Sequence, residues 1–172
     1  MSWLLLKNFF HGPLTEAAPP VDEAALAELA ARVNSASRAR LGRTLSIREV
    51  DAGSCNGCEL EIHALNNVLY DLERFGLRFV ASPRHADVLL VTGPVTANMR
   101  EALERTYRAT PDPKWVVAVG DCARNGGVFA DSPACVGGVS AVLPVDLHIP
   151  GCPPTPVALL GGLLALLQTV ST

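Results

Sequence analysis

From Leu45 onward the chain alternates short apolar runs with stretches of helical period. The runs SIREV, LRFVA, DVLLVTG, WVVAVG and VDLHIP read as strands, with one helix expected from about Cys58 to Leu72 and another through NMREALERTY. DVLLV and WVVAV are apolar at almost every position, as strands covered on both faces are. The alternation predicts an α/β sandwich around a mostly parallel sheet. Pro153 and Pro154 start the last helix, PTPVALLGGLLALL, whose first turn tolerates proline. Upstream, AALAELAARV behind Asp22 predicts a helix to about Ser37. Residues 1–20 show no period and end in Pro19-Pro20, the pattern of an arm that wraps a neighbour. The expected division is therefore an N-terminal arm and helix over 1–44, suited to partner docking, and one α/β domain over 45–172.

Composition adds the expectation of company. The 172 residues are 49% hydrophobic and 18% charged, with mean hydropathy +0.27, greasier than a free monomer needs and suited to contact with other subunits. The net charge of −3 gives no basic field to attract nucleic acid. Arg32, Arg38, Arg40, Arg43 and Arg48 do cluster before the first cysteines; they form either a solvated face or a docking face for an acidic partner or an anionic membrane. The run from Trp3 to Phe10 is broken by Lys7 and Asn8 and lacks a small-residue cleavage site, so a cytoplasmic protein is expected. The last apolar run, Pro156 to Val170, falls short of the roughly 20 residues a spanning helix requires. It reads as a buried or docking helix.

Five cysteines in a reducing compartment point to metal binding or redox work before disulfides. Cys55 and Cys58 follow SIREV, Cys122 follows WVVAVG and Cys152 follows VDLHIPG. Each site thus lies just past a strand expected to run parallel to the others, and the set converges on the rim where open α/β sheets bind ligands. Gly53, Gly57, Gly120, Gly126, Gly127 and Gly151 in these loops let amide N–H groups approach sulfur. Four thiolates hold zinc or an iron–sulfur cluster, and Cys55-x-x-Cys58 alone separates neither from the other. Cys122 and Cys152 stand singly rather than as a second close pair, and Cys152-Pro153 matches the end of iron–sulfur ligand sets, so the cluster is favoured.

The motifs SCNGCELEIHALNN, ERFGLRFVASPRHADVLLVTGPVT, PDPKWVVAVGDCA and VLPVDLHIPGCPPTP resemble the small-subunit family of membrane-bound [NiFe] hydrogenases. The resemblance covers about residues 45–168 and is nearest to the formate hydrogenlyase and energy-converting branch, which shares ancestry with the 20 kDa subunit of respiratory complex I. It implies a flavodoxin-like fold and one [4Fe–4S] cluster on Cys55, Cys58, Cys122 and Cys152. It also implies partners: a large catalytic subunit, a ferredoxin-like iron–sulfur subunit and membrane-embedded antiporter-like subunits, with this chain on the cytoplasmic side of the membrane. Nickel ligands are not part of such small subunits, so H2 chemistry belongs to the large one and this chain relays electrons. The complex I subunit carries two adjacent cysteines where Asn56-Gly57 separates Cys55 from Cys58, and this sides with the hydrogenase branch. The rival readings are a nickel-free complex reducing quinone or another acceptor, a zinc or iron–sulfur assembly or sensing module, and a flavin carrier.

Other residues carry weaker expectations. Cys135 is read as a non-ligand thiol, since a cubane takes four ligands. Glu59, beside Cys58, either couples proton uptake to electron arrival or, with Glu61, complements the positive end of a helix. His63 reads as a packing residue or as one supporting a ligand rather than as a ligand itself, while His11, His85 and His148 show no partner pattern. Asp121 orients the Cys122 loop or serves a turn. Arg84 and Arg124 are docking candidates. GxGxxG and a phosphate-binding loop are both missing from the sequence, so a dinucleotide site has no support.

Overall fold

The computed structural model describes residues 23–68 and 70–169. Helix α1 (Glu23–Leu41) leads into strand β1 (Ser46–Asp51) and helix α2 (Gly57–Ala64). There follow β2 (Arg78–Phe79), β3 (Val88–Thr92), β4 (Val95–Thr96) and helix α3 (Ala97–Ala109). Strand β5 (Trp115–Val119), helix α4 (Gly120–Asn125), β6 (Cys135–Gly137), β7 (Leu147–Ile149) and helix α5 (Pro156–Thr169) complete the chain. The strand order is β2-β1-β3-β5-β7, and every pair is parallel. This is the expected flavodoxin-like sandwich.

Side chains alternate across the sheet with period two, and both faces are covered. Ile47, Val88, Leu90, Val117 and Val119 join Leu26, Ala30 and Val33 of α1, Ile62 of α2 and the leucines of α5 in one core. Val50, Leu89, Val91, Val116 and Ala118 pack against Leu103 of α3 and Ala123 of α4 in a second. Double coverage is why β3 and β5 are apolar almost throughout: no position along them faces water.

Helix α1 is tied to the sheet by more than its apolar face. Arg40 lies 5.0 Å from the Trp115 ring centroid and donates to the Leu167 carbonyl near the end of α5. Arg43 makes a bidentate pair with the buried Asp87, at 2.9 and 2.5 Å, and the Ser46 N–H donates to the same carboxylate. Two of the clustered arginines are therefore occupied inside the domain. The arm read over residues 1–20 lies outside the described residues.

Several elements differ from expectation. Helix α1 continues past Ser37 to Leu41, where the Gly42 N–H returns to the Arg38 carbonyl. Helix α2 stops at Ala64 instead of reaching Leu72. Asn67 takes over the local donors, its side chain accepting from the Tyr70 N–H and its carbonyl from the Asp71 N–H, and asparagine competes with helix in this way. The strand read as LRFVA is only Arg78–Phe79, at the edge of the sheet. The antiparallel pair β4–β6 has no counterpart in the sequence reading. It braces the chain just before the Cys55 loop, where the Thr96 N–H and hydroxyl both donate to the Ala52 carbonyl.

Candidate metal centre

Beyond β1, the Asp51 carboxylate accepts from the N–H groups of Gly53 and Ser54, both at 2.7 Å, and so reverses the chain. Asn56 then adopts a left-handed conformation, φ 73°, from which α2 starts at Gly57. Cys55 is left exposed on the loop and Cys58 half-buried in the first helical turn. Beyond β5, Gly120 has φ 85°, and a Cβ there would stand 2.7 Å from the Cys58 sulfur. Gly127, φ 52°, comes equally close to the sulfur of Cys122. At these two positions the backbone must both bend and approach a thiol, which only glycine permits. Beyond β7, Gly151 leads to the exposed Cys152.

The loops after β5 and β7 are joined. The Asp121 N–H donates to the Gly151 carbonyl at 2.9 Å, and the Gly151 N–H donates back to the Asp121 carboxylate at 3.1 Å. His148 Nε2 lies 3.1 Å from the Gly120 carbonyl. An open pocket of about 450 Å³ between these loops is lined by Asp121, Cys122, Arg124, Asn125, Gly127, Val128 and Cys152.

The four thiols sense one another. Burial pushes the Cys58 thiol up to about 12, assisted by Glu59 and then by Cys122, Cys55 and Cys152. Cys122 is raised by burial, by Cys152 and Cys55, and by Asp121, while the Val128 N–H bonded to it pulls the other way. Cys135 enters neither set; it lies in β6, half-buried. Among the described residues no three His, Cys, Asp or Glu side chains close on the geometry of a single ion. A backbone N–H on the Cys122 sulfur is the kind of donor that a thiolate-held metal centre uses.

Glu59 is buried, 8% exposed, and neither carboxylate oxygen has a hydrogen-bond partner. Sequence reasoning passed over Glu49, whose charge acts on it. Burial raises the Glu49 carboxyl, chiefly against the pull of His63, whose Nε2 lies 4.0 Å from Glu49 Oε2. These two border a pocket of about 220 Å³ with Arg48, whose buried Nε has no partner. The available signal was Arg48-Glu49 itself, two charges in the middle of a strand. His63 is thus an exposed partner of Glu49 rather than a packing residue. Arg84 and His85 are exposed on the turn that leads into β3, at the amino end of the strand, Arg124 borders the Cys122 pocket, and His11 lies outside the described residues.

Residues 55–166 match the family described as NADH ubiquinone oxidoreductase, 20 kDa subunit. The chain belongs to that family. Its relatives in the 20 kDa subunit family include a probable membrane-bound hydrogenase subunit of Pyrococcus furiosus, 47% identical over 76% of this chain and 78% of the relative. Formate hydrogenlyase subunit 7 of Escherichia coli is 49% identical over 72% of this chain, which spans only 48% of that protein. An NADH-quinone oxidoreductase subunit of Citrifermentans bemidjiense is 48% identical over 66% of each. A chain of an archaeal respiratory membrane complex, the membrane-bound sulfane sulfur reductase, superposes with a TM-score of 0.66 at 36% identity, covering 80% of this chain and 74% of that one. These relatives are subunits of oxidoreductase complexes, and the protein is accordingly an oxidoreductase subunit of the 20 kDa family. Among the described residues no helix is long and apolar enough to cross a membrane.

Proposed function

We propose that this chain relays electrons within a membrane-associated hydrogenase-type complex, holding one [4Fe–4S] cluster on Cys55, Cys58, Cys122 and Cys152. The observation that carries the reading is the placement of four cysteines in three loops past the ends of parallel strands, with the fifth, Cys135, in β6. Such a cluster, when bound, takes up and releases one electron. The protein's part is to hold and tune it. The Val128 N–H withdraws charge from the Cys122 sulfur, burial around Cys58 excludes water, and the Glu59 carboxyl adds negative charge beside Cys58. Identity does not separate the hydrogenase relatives from the quinone oxidoreductase relative, at 47% and 49% against 48%. The Cys55-Asn56-Gly57-Cys58 spacing favours the hydrogenase branch.

Exposed apolar side chains support the expectation of partners. Leu60, Val128 and Val157, 63%, 83% and 50% exposed, lie within a few residues of Cys58, Cys122 and Cys152 in turn. Apolar side chains beside every cysteine loop suit burial under protein rather than water. The large catalytic subunit is assigned to this rim, with the ferredoxin-like subunit and the membrane-embedded antiporter-like subunits completing a complex on the cytoplasmic side. Anaerobic purification of the chain, with iron and sulfide analysis and electron paramagnetic resonance (EPR) of the reduced state, tests the reading. One reducible four-iron cluster is expected; zinc, or a centre that takes up no electron, overturns it.

A further inference from the structure

Cys55 and Cys58 enter the site as a local pair, spaced by the left-handed Asn56 and the first turn of α2. Cys122 and Cys152 have no such device. Each follows its own strand, and the ladder between those strands, β5 and β7, closes with Val119 opposite Ile149. Past that rung the chains are free to diverge, since Gly120 and Gly151 both have positive φ. They do not diverge. Asp121 and Gly151, thirty positions apart in the chain, exchange two hydrogen bonds: backbone N–H to carbonyl one way, backbone N–H to carboxylate the other. Asp121 Oδ1 stands in for the carbonyl that a continued ladder would have offered. On the other side of the same turn, His148 Nε2 meets the Gly120 carbonyl. A carbonyl only accepts, so Nε2 carries the proton in this contact.

We propose that Asp121 and His148 are positioning residues that strap the Cys122 loop to the Cys152 loop and thereby set the separation of the two singly placed thiols. The strap lies one residue short of each cysteine. The Gly120 carbonyl that His148 holds belongs to the residue where an added Cβ would stand 2.7 Å from the Cys58 sulfur, so the same contact also bears on the third loop. Geometry rather than charge is what the strap supplies: an amide oxygen at position 121 accepts the Gly151 N–H as a carboxylate does, and a side-chain amide at 148 donates as the imidazole does. In its bearing on the cluster the inference rests on the relay reading above.

The test compares Asp121→Ala and His148→Phe with the conservative Asp121→Asn and His148→Gln in the full chain. Asp121→Ala is expected to speed iron loss to a ferrous chelator by about tenfold or more, with His148→Phe smaller in the same direction, and both shift the EPR line shape of the reduced cluster. Asp121→Asn and His148→Gln stay within about twofold of the parent. In the iron-free chain, amide exchange by nuclear magnetic resonance reads the strap directly: Asp121→Ala opens the Gly151 amide and Asp121→Asn keeps it protected. Parental iron loss and parental exchange in Asp121→Ala overturn the strap. So does an Asp121→Asn as impaired as Asp121→Ala, because charge would then be the active property. If Asp121→Ala fails to fold, the contrast between His148→Phe and His148→Gln decides in its place. A parent chain without a [4Fe–4S] cluster overturns the relay reading alone, and the exchange measurement on the iron-free protein still judges the strap.

Discussion

From Val88 to Thr92 and from Trp115 to Val119 every residue is buried, and each strand is paired on both sides. Just past the strand ends the picture reverses: Cys55 and Cys152 are exposed, Glu59 is buried without a partner, and Leu60, Val128 and Val157 face solvent. Strands β3 and β5, the body of the sheet, are complete within the chain, whereas the rim at the carboxyl end of the sheet leaves the Glu59 carboxylate unmet and apolar side chains uncovered. An unmet buried carboxylate and exposed apolar side chains are costs that a domain evolved to stand alone avoids. The contrast supports the proposed assignment, in which the sheet sets positions and the rim carries the cluster and the partner contacts.

The sharpest way to separate the two regions is to remove thiols. Cys122→Ser is expected to abolish the EPR signal of the reduced cluster, and Cys135→Ser to keep it in full, while circular dichroism of the iron-free chains stays parental for both. Breaking the body gives the opposite pattern. Leu90→Ala, at a residue 1% exposed in the central strand, is expected to cost about 2–5 kcal/mol in denaturant unfolding, because the site cannot collapse between two covered faces. Its cysteines remain in place, so at low temperature the folded fraction still loads iron.

A third effect is a pH dependence confined to the iron-free chain. The folded Cys58 thiol is raised from 9.0 to about 12, so its contribution to stability is full below the ordinary thiol range and is lost as pH rises toward the folded value. The urea midpoint of the iron-free protein should therefore fall between about pH 9 and about pH 12. The loaded protein, in which Cys58 has no proton to lose, should show a flatter profile over that range. The smallest expected effect is that of Glu59→Gln. Removing a negative charge beside Cys58 makes electron uptake easier, so potentiometric titration should give a modestly higher reduction potential with unchanged iron content.

The body was the more legible region. Two uninterrupted apolar runs, DVLLV and WVVAV, announce strands covered on both sides, and the positions of the cysteines just past strand ends place them on one rim from the sequence alone. What sequence patterns do not carry is decided by contacts between residues distant in the chain. Asn67 ends α2 early through its own side chain, β4 and β6 pair across a separation no local pattern announces, and His148 and Asp121 matter only because β5 and β7 are neighbours. Arg43 looks like part of a basic face, yet its partner Asp87 is forty-four positions away. Local periodicity reports what a residue prefers; it does not report which remote residue will meet it.

The order in which the cysteine loops leave the sheet bears on how the protein is made. Cys55 and Cys58 emerge from the ribosome with the first strand, Cys122 after the fourth strand of the five-stranded sheet, and Cys152 only after the last. A chain released early, before β7, carries three of the four thiols and lacks the strand that would complete the set. Under the proposed assignment iron loading therefore requires synthesis past β7: only a chain translated through Cys152 can present all four donors, and one released earlier is barred from the electron path.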